Sequence, residues 1–132
     1  MLPGKPRLDE HPMASEPGVV LHLWSAQAGG ALFGIGYADH ASADPRIMDR
    51  TRDALAGNIH GRIVEEHDSH VGTATEREFR AEGNEAMMAA RLVLSGSRLY
   101  QVVVIGRKGS ISPADVEMFL SSFRLSPGRS QG

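Results

Sequence analysis

The sequence predicts an α+β domain, one largely antiparallel sheet with helices against its faces. Three observations lead there. Several segments alternate apolar and polar residues and are joined by short turns, which is the signature of antiparallel strands. Two segments carry apolar residues at helical spacing behind clear start signals, Asp44-Pro45 and Ser112-Pro113. The chain of 132 residues has the length of one domain, with enough surface to bury a core without staples.

In chain order, residues 1–18 hold four of the seven prolines (Pro3, Pro6, Pro12, Pro17) and show no apolar period. Proline fixes φ and removes a donor, so this stretch is expected to be an extended or irregular arm. Residues 19–125 form the expected globular domain, and residues 126–132 read as a flexible tail. Val19–Trp24 alternates at strand period, with His22 and Trp24 on one face. Ala28-Gly29-Gly30 is a turn. Ala31–Ala38 sets Phe33, Ile35 and Tyr37 against Gly34 and Gly36, and the two glycines imply that something, such as a helix, packs tightly over that face.

Asp44 is placed to cap a helix whose first residue is Pro45, and Ile47, Met48, Thr51, Ala54 and Leu55 form its apolar stripe. Arg46, Asp49, Arg50, Arg52 and Asp53 lie on the other side, and Gly57 is the natural terminator. Four strands follow. Ile59–Glu66 and Val71–Arg80 flank a turn at His67-Asp68-Ser69-His70, and Ala86–Leu94 reverses at Ser95-Gly96-Ser97 into Leu99–Ile105. The last of these is apolar on both faces except for Gln101, so it belongs in the middle of the sheet. The final helix has Ser112 as N-cap, Pro113 at N1, Asp115 at N3 and an Ile111/Val116 staple, with Val116, Phe119, Leu120 and Phe123 as its stripe. The expected order is two strands, helix, four strands, helix.

Composition excludes several classes. A net charge of −2 gives no global basic field for nucleic acid. With no cysteine there are no disulfides, thiolate nucleophiles or cysteine-based metal sites. No apolar run approaches the roughly twenty residues of a membrane span, so membrane insertion is not expected. No apolar segment follows Met1, so no signal peptide is expected. The location implied is cytoplasmic if the chain is full length, and the cell envelope if a leader was removed.

Three segments occur in a familiar order: Leu2-Pro3-Gly4-Lys5-Pro6, then Gly96-Ser97-Arg98-Leu99-Tyr100-Gln101-Val102-Val103-Val104, then Phe119-Leu120-Ser121-Ser122-Phe123-Arg124-Leu125. Together they resemble the PsbP-like superfamily, in particular its small bacterial branch. The resemblance implies a three-layer α/β/α sandwich with a central, mostly antiparallel sheet. Members of the superfamily include an extrinsic photosystem subunit, a nuclear-import factor that binds the Ran GTPase, and DcrB-like bacterial envelope proteins. None of these looks like an enzyme, and no binding motif of theirs can be placed on residues of this chain. Two departures are Leu2, where phenylalanine is usual, and the missing export leader.

The densest candidate for metal is His67-x-x-His70, flanked by Glu65, Glu66 and Asp68, since imidazole and carboxylate suit zinc, nickel or copper. Only two strong ligands are local, so His40 or His60 would have to join by folding. The alternative is a solvated polar turn. His22 and Trp24 could line a pocket or simply pack. Gly34-Ile35-Gly36 lacks the third glycine and the helix of a dinucleotide site, and Ser95-Gly96-Ser97 lacks the setting of a nucleophile elbow. Met13, Met48, Met87, Met88 and Met118 could form an adaptable surface or belong to the core. Residues 65–82 carry six acids against two arginines, and residues 91–132 carry six cations against two acids, an asymmetry that could steer a charged partner.

No nucleophile, complete metal constellation or phosphate loop can be assembled, and no cofactor is implied. The expected function is a non-catalytic accessory module that binds another protein. The alternative is a small-ligand or metal-binding protein using the His67–His70 turn or a His22/Trp24 pocket. A flat apolar patch would favour the first, and an enclosed pocket the second.

Overall fold

The fold is that of a computed structural model, which describes residues 7–12, 18–40, 44–110 and 112–121. Its elements are β1 (Arg7–Pro12), β2 (Val20–Ala28), β3 (Ala31–Asp39), α1 (Arg46–Gly57), β4 (Arg62–Val71), β5 (Ala74–Glu82), β6 (Ala86–Ser95), β7 (Arg98–Arg107) and α2 (Pro113–Ser121). The seven strands form one sheet in the order β1-β2-β3-β7-β6-β5-β4, with every pairing antiparallel. Two meanders, β1–β3 and β4–β7, are therefore sewn together where β3 meets β7.

β7 stands fourth of seven, and Gln101, Val102, Val103 and Val104 are all buried. Both of its faces are used. Leu99 and Val103 pack with Ile47 and Met48 of α1 and with Phe79, Met88, Leu92 and Leu94 of β5 and β6. Val102 and Val104 pack on the other face with Val116, Phe119 and Leu120 of α2, joined by Ala31 and Ala89. The Phe119 ring meets Phe33 edge-on at a centroid distance of 5.0 Å.

The expected three-layer α/β/α sandwich is not what the chain forms. Among the described residues each face of the sheet carries a single short helix, too small to form a layer. Helices of 12 and 9 residues are about 18 and 14 Å long and about 10 Å wide. Seven strands spaced about 4.8 Å apart make a sheet too broad for one such helix to cover. The architecture is a large antiparallel sheet with two small helices, and the sheet sets its shape.

Several local expectations also change. Residues 7–12 of the proline-rich arm are extended, but they pair with β2 as an edge strand. The tight packing expected over Gly34 and Gly36 is supplied by a neighbouring strand rather than a helix. A Cβ on Gly36 would lie 2.6 Å from the His22 carbonyl oxygen and 3.1 Å from Leu23 Cδ1. The turn expected at His67–His70 is strand, and the chain reverses at Gly72-Thr73, where Gly72 has φ +62°. A two-residue hairpin of this kind needs a residue at positive φ, which glycine supplies at no steric cost. The segment at 67–70 is polar because β4 is an edge strand. Its charges and the irregularity between Ile63 and Glu65 protect that edge from pairing with another chain.

Both helix starts follow their sequence signals. The Arg46 amide donates to Asp44 Oδ1 at 3.0 Å, and Pro45 already has helical angles. The Asp115 amide donates to Ser112 Oγ at 3.1 Å. The end of α1 is less expected. Gly61 N–H reaches the Ala56 carbonyl at 2.9 Å and His60 N–H reaches Gly57 at 3.1 Å, with His60 itself at φ +50°. That is a Schellman closure whose left-handed position is His60 rather than a glycine. Ile111, Phe123 and the tail at 126–132 lie outside the described residues.

Two stability outcomes follow. In urea denaturation Phe119→Ala should cost about 3–5 kcal/mol and Ser112→Ala about 1 kcal/mol, because packing rather than capping holds α2. His60→Gly should stabilise the fold by about 1 kcal/mol, since the native φ at that position is strained for any residue with a Cβ. An unchanged or lowered urea midpoint would show that the His60 side chain repays its strain through contacts.

Candidate functional site

Among the described residues, the enclosure with the largest apolar share lies between α1 and the sheet, a slot of about 240 Å3. Its floor is Ala38, Leu99 and Gln101, its sheet-side wall is Leu21, and His40 closes one end. The overhanging flank of α1 supplies Ile47, Arg50, Thr51, Ala54 and Leu55, with Asn58 just beyond the helix. These positions recur at helical spacing, so one flank of α1 faces the slot along its length.

Two features of the sequence open this space. On the α1 face, β3 presents Ala38, a side chain too small to fill the gap below the helix. Meanwhile the opposite flank of α1 is tied down towards β4 and β5. The Arg77 guanidinium reaches Asp49 of α1 at 2.6 Å, Asp68 at 2.8 Å and Glu66 at 3.3 Å, while Arg52 reaches Glu66 at 2.8 Å. Hydrogen bonds from Arg77 hold the Asp49 and Asp68 carboxyls below the usual aspartate range, and those same carboxylates push the Arg77 guanidinium up. The helix is anchored on the β4–β5 side, and its other flank lines the slot.

The polar groups of the slot differ from those elsewhere. Gln101 is only 6% exposed, in the middle of the central strand, and it lines the slot; its carboxamide has no hydrogen-bond partner among the described residues, and its polar atoms are not sealed from solvent. The carboxamide can therefore hydrogen-bond either water or a polar ligand group in the slot. Arg50 stands at the mouth. Of the three α1 arginines, Arg46 and Arg52 are held in ion pairs, but Arg50 has no carboxylate in ion-pair range among the described residues. His40 is buried, with its amide donating to the Ser97 carbonyl at 2.8 Å, which fixes it beside the β6–β7 turn.

His67 and His70 lie on β4, three residues apart in regular strand pairing, which sends their side chains to opposite faces of the sheet. His67 is 73% exposed with Nε2 3.4 Å from Glu65 Oε2. No cluster of three or more metal-ligating side chains occurs among the described residues. The structure does not bring His40 or His60 to the pair, since His40 lines the slot and His60 ends α1.

His22 and Trp24 share a face as expected, but they belong to a ladder. Glu10 meets His22 Nδ1 at 3.0 Å, the His22 ring stacks on Tyr37 at 4.8 Å, and the Arg98 guanidinium covers Tyr37 at 4.4 Å. Asp39 then binds Arg98 through both oxygens, at 2.7 and 3.0 Å, which keeps the Asp39 carboxyl below its ordinary range. The rings are stacked against one another, so their faces are occupied. This row braces β1, β2, β3 and β7 on the half of the sheet that α2 leaves bare.

The charge asymmetry is largely spent inside the protein. Arg91 pairs with Glu76 at 3.0 Å and donates to the Leu120 carbonyl at the end of α2, and Arg80 bridges Glu65 and Glu117. Glu78 lies in the shallow cleft beside them, where burial raises its carboxyl above the usual range. Met48 and Met88 are core, Met118 is 68% exposed, and Met13 lies outside the described residues. Gly34-Ile35-Gly36 is strand and Ser95-Gly96-Ser97 contains the β6–β7 turn, as read from the sequence. No described helix is long and apolar enough to cross a membrane.

No protein-family model, curated protein or solved structure matches the chain. The functional reading therefore rests on the geometry.

The anchor of α1 can be tested by pH. The lowered Asp49 and Asp68 values contribute stability above their ordinary 3.8, which is lost as pH falls through the folded-state values. Arg77→Met removes the cause of that lowering. Thermal melts should therefore show the wild type losing stability below about pH 4 more steeply than the variant. Parallel pH profiles would mean the arginine does not hold the helix.

Proposed function

We infer that this protein binds a small molecule in the slot beneath α1, and that it does so without catalysis. The reading is carried by Gln101, a largely buried side chain whose carboxamide lines the slot beside Leu21, Ala38, Leu55 and Leu99. Apolar walls with a few convergent polar groups are the general form of a ligand site. The slot volume of about 240 Å3 falls just below the usual range for drug-sized ligands, which fits a small metabolite.

The protein-docking reading finds less support. Among the described residues the exposed large apolar ones are Leu8, Leu32, Val64 and Met118, and they sit on four different elements rather than in one patch. The metal-binding reading would need His67 and His70 on one side of the sheet, and β4 sends them to opposite sides.

The test is amide shift mapping with benzyl alcohol as a small amphipathic probe, in the protein and in Ala54→Trp. Ala54 is exposed at the mouth, so the indole should block entry without entering the core. Saturable shifts at Ala38, Leu55, Leu99 and Gln101 that vanish in the variant are expected. Shifts that survive the block, or none at these amides in the unblocked protein, would overturn the reading.

A further inference from the structure

We propose that the ligand is a small aromatic hydroxycarboxylate, bound with its carboxylate at Arg50 and its hydroxyl at Gln101. This inference rests on the ligand-binding reading above and narrows it to a chemical class. Three observations lead to it, one for each part of such a molecule.

The mouth asks for an anion. Arg46 and Arg52, on the same helix, are neutralised by Asp44, Asp53 and Glu66, whereas Arg50 has no carboxylate in ion-pair range among the described residues. A guanidinium beside an apolar enclosure pairs well with carboxylate, because two parallel N–H donors match its two oxygens. The middle asks for an apolar body. Leu21, Ala54, Leu55 and Leu99 line the slot, and its small volume admits a single ring or a short branched chain rather than a fused system. The floor asks for a hydrogen-bonding tip. Gln101 offers an acceptor oxygen and a donor NH2 from a side chain that is itself more than nine-tenths buried. A hydroxyl, which both donates and accepts, satisfies either end of that carboxamide.

Selection by the two ends differs in kind. A site that hydrogen-bonds a hydroxyl disfavours the analogue without it, because that analogue displaces water from the amide and returns no hydrogen bond. The carboxylate end instead selects by charge. An aliphatic acid of the same length would meet Arg50 equally well but would leave Gln101 unsatisfied. An amine in place of the carboxylate would be repelled at the mouth.

The experiment compares four probes by amide shift titration on the full chain: 4-hydroxybenzoate, benzoate, 4-methylphenol and tyramine. 4-Hydroxybenzoate should bind about tenfold tighter than benzoate and than 4-methylphenol, one good hydrogen bond or ion pair in each case, with tyramine weakest. Arg50→Gln should abolish the advantage over 4-methylphenol. Gln101→Leu, which replaces the carboxamide with an apolar side chain of similar size and breaks no hydrogen bond to the described residues, should abolish the advantage over benzoate. Equal affinities across the four probes, at amides of the slot, would overturn the hydroxycarboxylate class and leave the ligand-binding reading standing. No response at those amides to any probe would remove both. The Ala54→Trp block separates slot binding from surface adsorption in either case.

Discussion

The structure depends on the burial of β7 from both sides. A strand in that position must be apolar on each face, and Val102 and Val104 face α2 while Leu99 and Val103 face α1. Each such side chain removed from water contributes about 1.5–3 kcal/mol, far more than any single surface contact in the molecule. The two meanders meet along β7, and both helices dock beside it. Gln101 is the exception in the middle of that strand, and its carboxamide lines the slot beneath α1.

The two halves of the sheet are stabilised differently. Over β5, β6 and β7 the helices exclude water. Towards β1 and β2 no helix packs among the described residues, and cross-strand side chains take over, from Glu10 through His22 and Tyr37 to Arg98 and Asp39. The charged residues that look like a steering field are mostly consumed in such ties, Arg77 to α1 and Arg91 to α2. Exposed pairs of this kind contribute little individually, and their effect here is positional. They hold α1 towards β4, while its other flank lines the slot with Ala38 and Gln101.

The parts of the fold legible in the sequence are those written in local rules. Ser112 and Asp44 announce their helices because an N-cap is satisfied within three residues. Leu99–Ile105 announces a central strand because apolar residues on both sides have no other stable place. The misreadings have equally physical causes. His67–His70 looks like a turn because an edge strand may be as polar as a loop, and the true turn is marked by Gly72. The glycines of β3 imply a close neighbour correctly, but spacing cannot say whether the neighbour is a helix or Leu23 of the next strand. Of the slot, the sequence marked Gln101 as an oddity and gave no sign that His40, Arg50 and Asn58 would gather above it.

By itself, then, the sequence determined the number and kind of most elements, the middle position of β7 and the starts of both helices, since these depend on neighbours a few residues away. Tertiary structure alone decided that the helices are too short to become layers over seven strands. It also decided that His67 and His70 point apart, that His22 and Trp24 serve a brace, and that a space remains beside Gln101. Those outcomes depend on which strands lie side by side and how far a helix reaches across them, and contacts between residues tens of positions apart are not encoded in local period or spacing.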